Sequence, residues 1–517
     1  MRINNYYNFK NPIRHFLNID AVLFSSESEN FSVKDLAHTE PFKFRILKNE
    51  NKYRVLKFPN ILNFYCSLNK FKNVEFFNEP NKLDDRKRLM PNTVTGDFIS
   101  GAYDRQLDKD FLNLCLYDNL LRLDIKSYYS GIYTHHLNYG LEEVNIELFL
   151  TNLNSGNTNG LIMGNYISLY FAEKYLVKIS NSLQKALENE NISCDFQYFS
   201  DDFYIFCNER DNETVIQVFD SVLEKYNLER KEPIEKWTYI QYNEQNIAER
   251  YWKKIISESH RRFDDTKNNN NLYFINQLVY RMSNIKEEKF QRTFLNTFFK
   301  STYFHELDIT KYELQDYNFH QLCFIYKFSP ETLIYSLVKF VEFENFRNTV
   351  FIEFLEARYR ESLGKRFNEQ QIYFYYALKL LNKKRILKKY REEVIKSENQ
   401  ILISYYLKDE LFVKKNIDYL KDIAEESYWF QNYHLILFTD LSDDDNLNES
   451  INKYLIPKQA SKDRQKNNYR EFYLLNINAG IAFIKNINAI SLGIEEYRAS
   501  LVEERAELFG ESEGEYE

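Results

Sequence analysis

Structure breakers and cysteines are scarce in this 517-residue chain, which holds 12 Gly, 8 Pro and 5 Cys. Between Asn165 and Leu363 there is no glycine, and after Pro233 only Pro330 and Pro457 remain. So few breakers over half the chain imply that helices dominate there. The cysteines, Cys66, Cys115, Cys194, Cys207 and Cys323, are odd in number and form no Cys-x-x-Cys pair. That argues against a disulfide framework or a zinc knuckle and leaves buried, reduced thiols. A Gly-x-x-x-x-Gly-Lys phosphate loop is missing. No apolar run approaches the length of a membrane span, so no membrane partner is expected. The N-terminus, with Asn4, Asn5, Asn8 and Asn11 near Arg2 and Lys10, lacks the apolar core of a signal peptide, which makes the cytoplasm the expected location. A net charge of −8 speaks against a general nucleic-acid coat, because phosphate binding needs concentrated Lys and Arg.

What the chain does have is Phe196-Gln197-Tyr198-Phe199-Ser200-Asp201-Asp202-Phe203-Tyr204-Ile205-Phe206. The apolar and aromatic residues on both sides predict two strands, with Ser200-Asp201-Asp202 at the bend. A polar turn that merely contains two acids would look the same, since Asp favours turns. Upstream, Leu121-Arg122-Leu123-Asp124-Ile125-Lys126-Ser127-Tyr128-Tyr129 predicts a strand delivering one aspartate at its end. Adjacent strands would bring Asp124 and Asp201 together, and two-metal phosphoryl transfer needs carboxylates so placed. Between them, Gly160-Leu161-Ile162-Met163-Gly164 precedes a long glycine-free stretch containing Ser168, as a loop entering a helix would.

Charge is also unevenly spread. Residues 43 to 88 hold twelve Lys or Arg against five acids. Within them, 42–47 and 53–59 alternate basic with apolar residues around a turn at Asn49, Glu50 and Asn51, which predicts a hairpin with a basic face. Such a face can clamp a triphosphate by charge-assisted hydrogen bonds, with Arg45, Arg54 and Lys57 as candidates. His135 and His136 are adjacent and point differently, so a structural or surface role is expected. A basic cluster at Lys253, Lys254, Arg261 and Arg262 could line a nucleic-acid channel. The run from Asp264 to Asn271 is the best boundary, and seven Glu from Glu503 onward read as a mobile acidic tail.

The order Asp-Ile-Lys-Ser-Tyr-Tyr, then Gly-Leu-Ile-Met-Gly with Ser168, then Phe-Ser-Asp-Asp resembles motifs A, B and C of a reverse-transcriptase palm. Ser130-Gly131-Ile132-Tyr133-Thr134-His135 further resembles the abortive-infection (AbiK-type) reverse transcriptases of bacterial phage defence. The resemblance implies an α/β (α+β) fold: fingers over residues 1–115, a palm over 116–260, and an all-α, HEAT-like C-terminal domain over 261–517 in place of an ordinary thumb. No strict sequence period supports the HEAT analogy by itself.

It also implies a mechanism. Asp124 and Asp201 would hold two Mg²⁺ (Mn²⁺ being an alternative), Asp202 would support the site, and Ile125 would lend a backbone carbonyl to the nucleotide-side metal. Tyr129 takes the position of an aromatic gate against a ribose 2′-hydroxyl, and Met163 and Gly164 stand where the common motif reads Gln-Gly. Lys231 sits where a motif-D lysine can protonate departing pyrophosphate. The partners implied are dNTPs, a single-stranded DNA product covalently attached to the protein, RNA, and further copies of the chain. Template-independent synthesis primed by a tyrosine belongs to the resembled group, with Tyr6 and Tyr7 as primer candidates. The alternatives are a catalytically silent RNA-binding scaffold and an ordinary templated RNA-directed DNA polymerase.

Overall fold

The computed structural model describes residues 2–8, 12–49, 52–74, 76–90, 102–137, 146–246, 273–301, 304–305, 307–309, 314–443 and 446–509. Its centre is a four-stranded antiparallel sheet of order β4-β5-β3-β6, made by β3 (Asn119–Asp124), β4 (Cys194–Phe199), β5 (Asp202–Cys207) and β6 (Glu235–Trp237). Side chains alternate across a strand, and the two faces of this sheet are used differently. Leu121, Leu123, Phe196, Tyr198, Phe203 and Ile205 are buried in the main core. Covering them are α6 (Tyr166–Asn189) and α7 (Asn212–Glu224), with Phe219 edge-on to Phe203 at 5.2 Å. On the opposite face Leu120 and Phe206 join Leu107 and Leu114 of α3 (Ala102–Leu116) and Tyr242 of α8 (Tyr239–Asn246) in a separate cluster. That cluster occupies one end of the face, and Arg122, Asp124 and Asp202 lie towards the other. The outer edge of β4 is sealed by residues 86–88, since Tyr198 donates to the Arg86 carbonyl and the Arg88 amide to the Tyr198 carbonyl at 3.0 and 2.9 Å.

The predicted basic hairpin is present as β1 (Phe42–Asn49) and β2 (Lys52–Phe58). Both outer edges of this two-stranded sheet are capped. Along β1, the amides of Arg45 and Leu47 donate to Asn368 Oδ1 and Glu369 Oε1 at 2.7 and 2.5 Å. Along β2, the Lys57 amide donates to the Met163 carbonyl at 3.1 Å. Asn368 and Glu369 open a helix of the C-terminal half, so that half grips the hairpin directly.

Among the described residues beyond 272, all regular structure is helical. Seven aromatic-rich amphipathic stretches there, whose apolar residues recur at helical spacing, form α9 (Tyr273–Ser283), α10 (Glu288–Lys300), α12 (Thr332–Phe340), α13 (Thr349–Lys365), α14 (Asn368–Leu380), α17 (Gln400–Lys408) and α19 (Trp429–Leu437). Composition did not point to α11 (Asp316–Phe328), α15 (Lys384–Lys389), α16 (Arg391–Lys396), α18 (Lys414–Asp422), α20 (Leu447–Tyr454), α21 (Asp463–Asn478) or α22 (Ile487–Phe509). The last runs to Phe509 through the beginning of the acidic tail expected from Glu503, and residues 510–517 lie outside the described residues. The polar run 264–271 and the cluster at Lys253, Lys254, Arg261 and Arg262 lie outside the described residues.

The N-terminus also departs from expectation. Residues 12–37 pack against the far end of the chain: the Asn18 amide donates to the Phe483 carbonyl at 2.8 Å, Lys485 donates to Phe16 at 3.0 Å, and Asn476 brackets Leu23 through both its amide oxygen and nitrogen. In α1 (Ile3–Tyr7), Tyr6 and Tyr7 are only 9% and 1% exposed. The edge caps on β1 give a direct test. Asn368→Ala leaves the Arg45 amide without its acceptor, and stability should fall by about 1–3 kcal/mol. Chemical denaturation measures this, and an unchanged midpoint would show that the cap contributes nothing.

Candidate functional site

The carboxylates meet because β3 and β5 pair with Asp124 directly opposite Asp202. Asp201 sits in the two-residue loop joining β4 to β5, behind Ser200, whose φ of 53° is left-handed. The Ile125 amide donates to the Asp201 carbonyl at 3.0 Å, which ties the end of β3 to that loop through the backbone. A second tie holds β3 from the other side: Lys126 donates to the Glu229 carbonyl, and Lys231 to the Asp124 carbonyl, both at 2.8 Å. Backbone pairing thus brings Asp124, Ile125, Asp201, Asp202 and Lys231 together before any side chain is considered.

Each acid has its own electrostatic setting. Burial raises the Asp201 pKa above the ordinary carboxyl value, and the charges of Asp202 and Asp124 push in the same direction. Asp202 is engaged by Arg122 at 2.7 Å, and the same guanidinium reaches Glu235 at 2.8 Å. Asp124 makes an ion pair with the Lys231 ammonium. Asp124 and Asp201 are therefore the pair whose crowding a divalent cation would relieve, while Asp202 is turned to Arg122. Among the described residues, no three His, Cys, Asp or Glu side chains gather closely enough to hold a metal as a group. The donor set that fits a cation is two carboxylates, not three.

The glycine loop lies against this site. The Leu161 amide donates to the Tyr129 carbonyl and the Gly160 amide to Ile132, both at 2.8 Å. Gly160 and Gly164 have φ of +86° and +120°, and a Cβ at Gly160 would stand 3.2 Å from the Ser130 Cα. Both positions need glycine on conformational grounds. Asn165 caps α6, accepting from the Ser168 amide at 3.0 Å. The half-buried Tyr129 faces the acids: burial, Glu173 and Asp201 raise the pKa of its hydroxyl, and Arg54 opposes them.

The three triphosphate candidates do not act together. The register of β1 and β2 puts Arg45 and Lys57 on one face and Arg54 on the other. Arg45 lies 3.6 Å from Glu398 of the helical half, and Lys57 donates to Asn154 Oδ1 at 3.1 Å. Arg54 is the exposed member and the one that acts on Tyr129. The expectation of one basic face is corrected, because strand alternation divides it.

The primer candidates meet a similar correction. The Tyr7 hydroxyl donates to the Pro59 carbonyl at 2.6 Å and the Tyr6 hydroxyl to Asn78 Oδ1 at 2.9 Å. Both are committed inside the core and unavailable to a phosphoryl group. His135 pairs with Glu147 at 2.6 Å, away from the carboxylates.

Four residues near the site carried no clear sequence signal. Arg122 alternates with leucines and looks like an ordinary solvent-face arginine. Glu173 is buried on α6, ion-paired with the equally buried Lys87 at 3.1 Å, and its raised pKa responds to burial and to Asp201. Lys289, in the first turn of α10, lies within electrostatic reach of Arg122, Asp202, Arg54 and Glu235. The helical half thereby contributes a cation to the neighbourhood of the carboxylates.

No protein-family model matches this chain, and no curated protein does either. Among solved structures, telomerase from Candida albicans in complex with a fragment of telomeric RNA matches at 12% identity and a TM-score of 0.30, covering 72% of this chain. The chain spans 63% of that protein's length. So slight a likeness leaves function to rest on the geometry of the site.

Asp201 also predicts a pH signature. A carboxyl whose pKa is raised by folding destabilises the native state once it ionises, and the penalty vanishes where it is protonated both folded and unfolded. Asp201→Asn should raise the thermal midpoint at pH 7 in the absence of divalent cations. The gain should shrink as the pH falls towards the ordinary aspartate value of 3.8. Millimolar Mg²⁺ should then stabilise the native protein more than the variant. A midpoint lowered at pH 7 by the substitution would contradict this account.

Proposed function

We propose that this chain is a reverse-transcriptase-like nucleotidyltransferase of the abortive-infection type, adding deoxynucleotides to a growing strand without reading a template. The observation that supports this reading is the pairing of β3 with β5, which sets Asp124 opposite Asp202 with Asp201 in the adjoining loop, Tyr129 within electrostatic reach of Asp201, and Leu161 of the glycine loop bonded to Tyr129. When bound, Mg²⁺ would lower the pKa of the attacking hydroxyl and offset charge building on the phosphate oxygens. Asp124 and Asp201 hold the cations, with Ile125 adjoining them. Arg122 fixes Asp202 beneath the site through their ion pair. A hydroxyl attacks the α-phosphorus of a dNTP, an O–P bond forms, and the bond to pyrophosphate breaks. Lys231, already beside Asp124, is the group placed to give a proton to the departing pyrophosphate.

Arg54 is the fingers residue assigned to the triphosphate, since it alone of the three candidates shares the side of the hairpin that faces Tyr129. Met163 in place of an amide removes a hydrogen-bonding group from the nucleotide loop, which favours untemplated addition. The single-stranded DNA product, its covalent attachment to protein and the homo-oligomeric state belong to the same reading. With Tyr6 and Tyr7 withdrawn, priming falls to another hydroxyl.

A catalytically silent RNA-binding scaffold is the competing reading. One observation favours it: Arg122 and Lys231 already neutralise two of the three acids.

Incorporation assays decide between them. Purified protein with Mg²⁺ and dNTPs, without template, should yield a DNase-sensitive high-mass species, and Asp201→Asn should abolish it. No incorporation by the native chain under any template or primer condition would leave the scaffold reading. Products that require an RNA template would remove the untemplated claim alone. Tyr129→Ala should lower the preference for dNTPs over NTPs by about 10–100-fold, measured as the ratio of kcat/KM values; an unchanged ratio would remove Tyr129 from sugar selection.

A further inference from the structure

The hairpin that carries the acids also brings two thiols together. Cys194 opens β4 and Cys207 closes β5, and the register of the two strands sets them directly opposite each other. Both are free thiols. Because they lie at the two ends of a hairpin rather than in a Cys-x-x-Cys motif, only strand pairing reveals the meeting.

Backbone hydrogen bonds fix what kind of pair this is. Opposed residues of an antiparallel ladder alternate between hydrogen-bonded and non-hydrogen-bonded pairs, and the latter bring their Cα atoms to about 4.5 Å. The Tyr198 amide donates to the Arg86 carbonyl and the Tyr198 carbonyl accepts from the Arg88 amide, so both point away from β5. Tyr198 and Phe203 are therefore a non-hydrogen-bonded pair. Alternation along the unbroken register makes Phe196 with Ile205, and then Cys194 with Cys207, pairs of the same kind. A Cα separation of about 4.5 Å lies within the span of a disulfide. Directly opposed side chains share a face. Here Cys207 belongs to the main core and Cys194 packs against it. The Cys207 thiol donates to Asn212 Oδ1 at 3.2 Å, at the start of α7.

The two thiols differ in access. Cys207 is buried and Cys194 half-buried, so a reagent from solvent meets Cys194 first. Burial pushes the Cys194 thiol up to about 11, with Asp195 and Asp211 acting in the same sense. Burial likewise pushes Cys207 up to about 12; Cys194, Asp211 and Asp118 add to the rise and Lys236 opposes it. The thiolate is the attacking species, so exchange at this pair is slow near neutral pH. Such a pair answers sustained rather than brief oxidising conditions.

We propose that Cys194 and Cys207 form a reversible disulfide that clamps the open end of the β4–β5 hairpin, with a small-molecule disulfide as the oxidant. Cys194, as its thiolate, attacks one sulfur of the small disulfide; a mixed disulfide forms and one small thiolate leaves. Cys207 then loses its proton and attacks Cys194 Sγ, so that the Cys194–Cys207 bond forms and the second small thiolate leaves. Two electrons pass to the small disulfide, and the two protons given up by the cysteines end on the two released thiols. The bond closes residues 194–207 into a ring with Asp201 at its turn, which restricts the unfolded chain and stabilises the hairpin. Its formation gives up the hydrogen bond from Cys207 to Asn212. The inference is independent of the nucleotidyltransferase reading.

The test holds the full native chain with millimolar glutathione disulfide and EDTA at about pH 8.5, where more thiolate is present. Remaining thiols are alkylated and the chain is digested without reduction. Mass spectrometry should find the peptides bearing Cys194 and Cys207 joined, and dithiothreitol should separate them. The oxidised chain should melt about 2 °C or more above the reduced one. Cys194→Ser should abolish both the linkage and the gain, with Cys194→Ala taking its place if that variant fails to fold. Cys115→Ser, which removes an exposed thiol, should leave both intact. Glutathione that stays on Cys194 without an internal bond overturns the proposal. So does a linkage that appears only in urea, an oxidised chain that melts no higher than the reduced one, or a gain that survives Cys194→Ser.

Discussion

Placing Asp124, Asp201 and Asp202 at the meeting ends of two strands sets negative charge against negative charge, and the surrounding structure is organised by that repulsion. Asp202 is answered by Arg122 and Asp124 by Lys231, while Asp201 is left with its pKa raised. The arrangement cannot relax by moving apart, because the Ile125 amide and the β3–β5 ladder fix the backbone beneath it. A site whose charges are held in place by main-chain hydrogen bonds keeps its geometry whether or not a cation is bound. Preorganisation of this kind is what an electrostatic catalyst needs.

The hairpin of β1 and β2 follows a related logic. A two-stranded sheet is marginal alone, and here one edge rests on the Met163 loop while the other is capped by Asn368 and Glu369. β2 faces the glycine loop, while its partner β1 is held by a helix more than three hundred residues further on. The glycine loop and the helical half meet at this hairpin, and Lys289 carries the connection on towards the acids.

Some of this was legible in the sequence. Strand alternation around Asp-Asp, the strand leading to Asp124, and the glycines before a breaker-free stretch are local patterns with local causes, and the elements they predict are present. Arg122 was hidden because an arginine between leucines looks the same whether it meets water or a carboxylate. The split of Arg45 and Lys57 from Arg54 could have been read from parity along β1 and β2, since odd and even positions face opposite ways. Tyr6 and Tyr7 misled through their asparagine-rich surroundings; their burial depends on Pro59, Asn78 and Tyr166, which no local window contains. The short charged helices Lys384–Lys389 and Arg391–Lys396 carry too few apolar residues for periodicity to announce them.

The junction of Leu17 with Ile484 bears on how the chain matures. Asn18 and Ala482 bond across 464 positions, so the partner of this segment is synthesised long after it. At about 5–20 residues per second, roughly 20 to 90 s separate the two on a ribosome. Throughout that interval Leu17, fully buried in the finished fold, lacks its bridge partner Ile484. The nascent chain therefore carries this segment without its distant partner until residues 482–485 have been made.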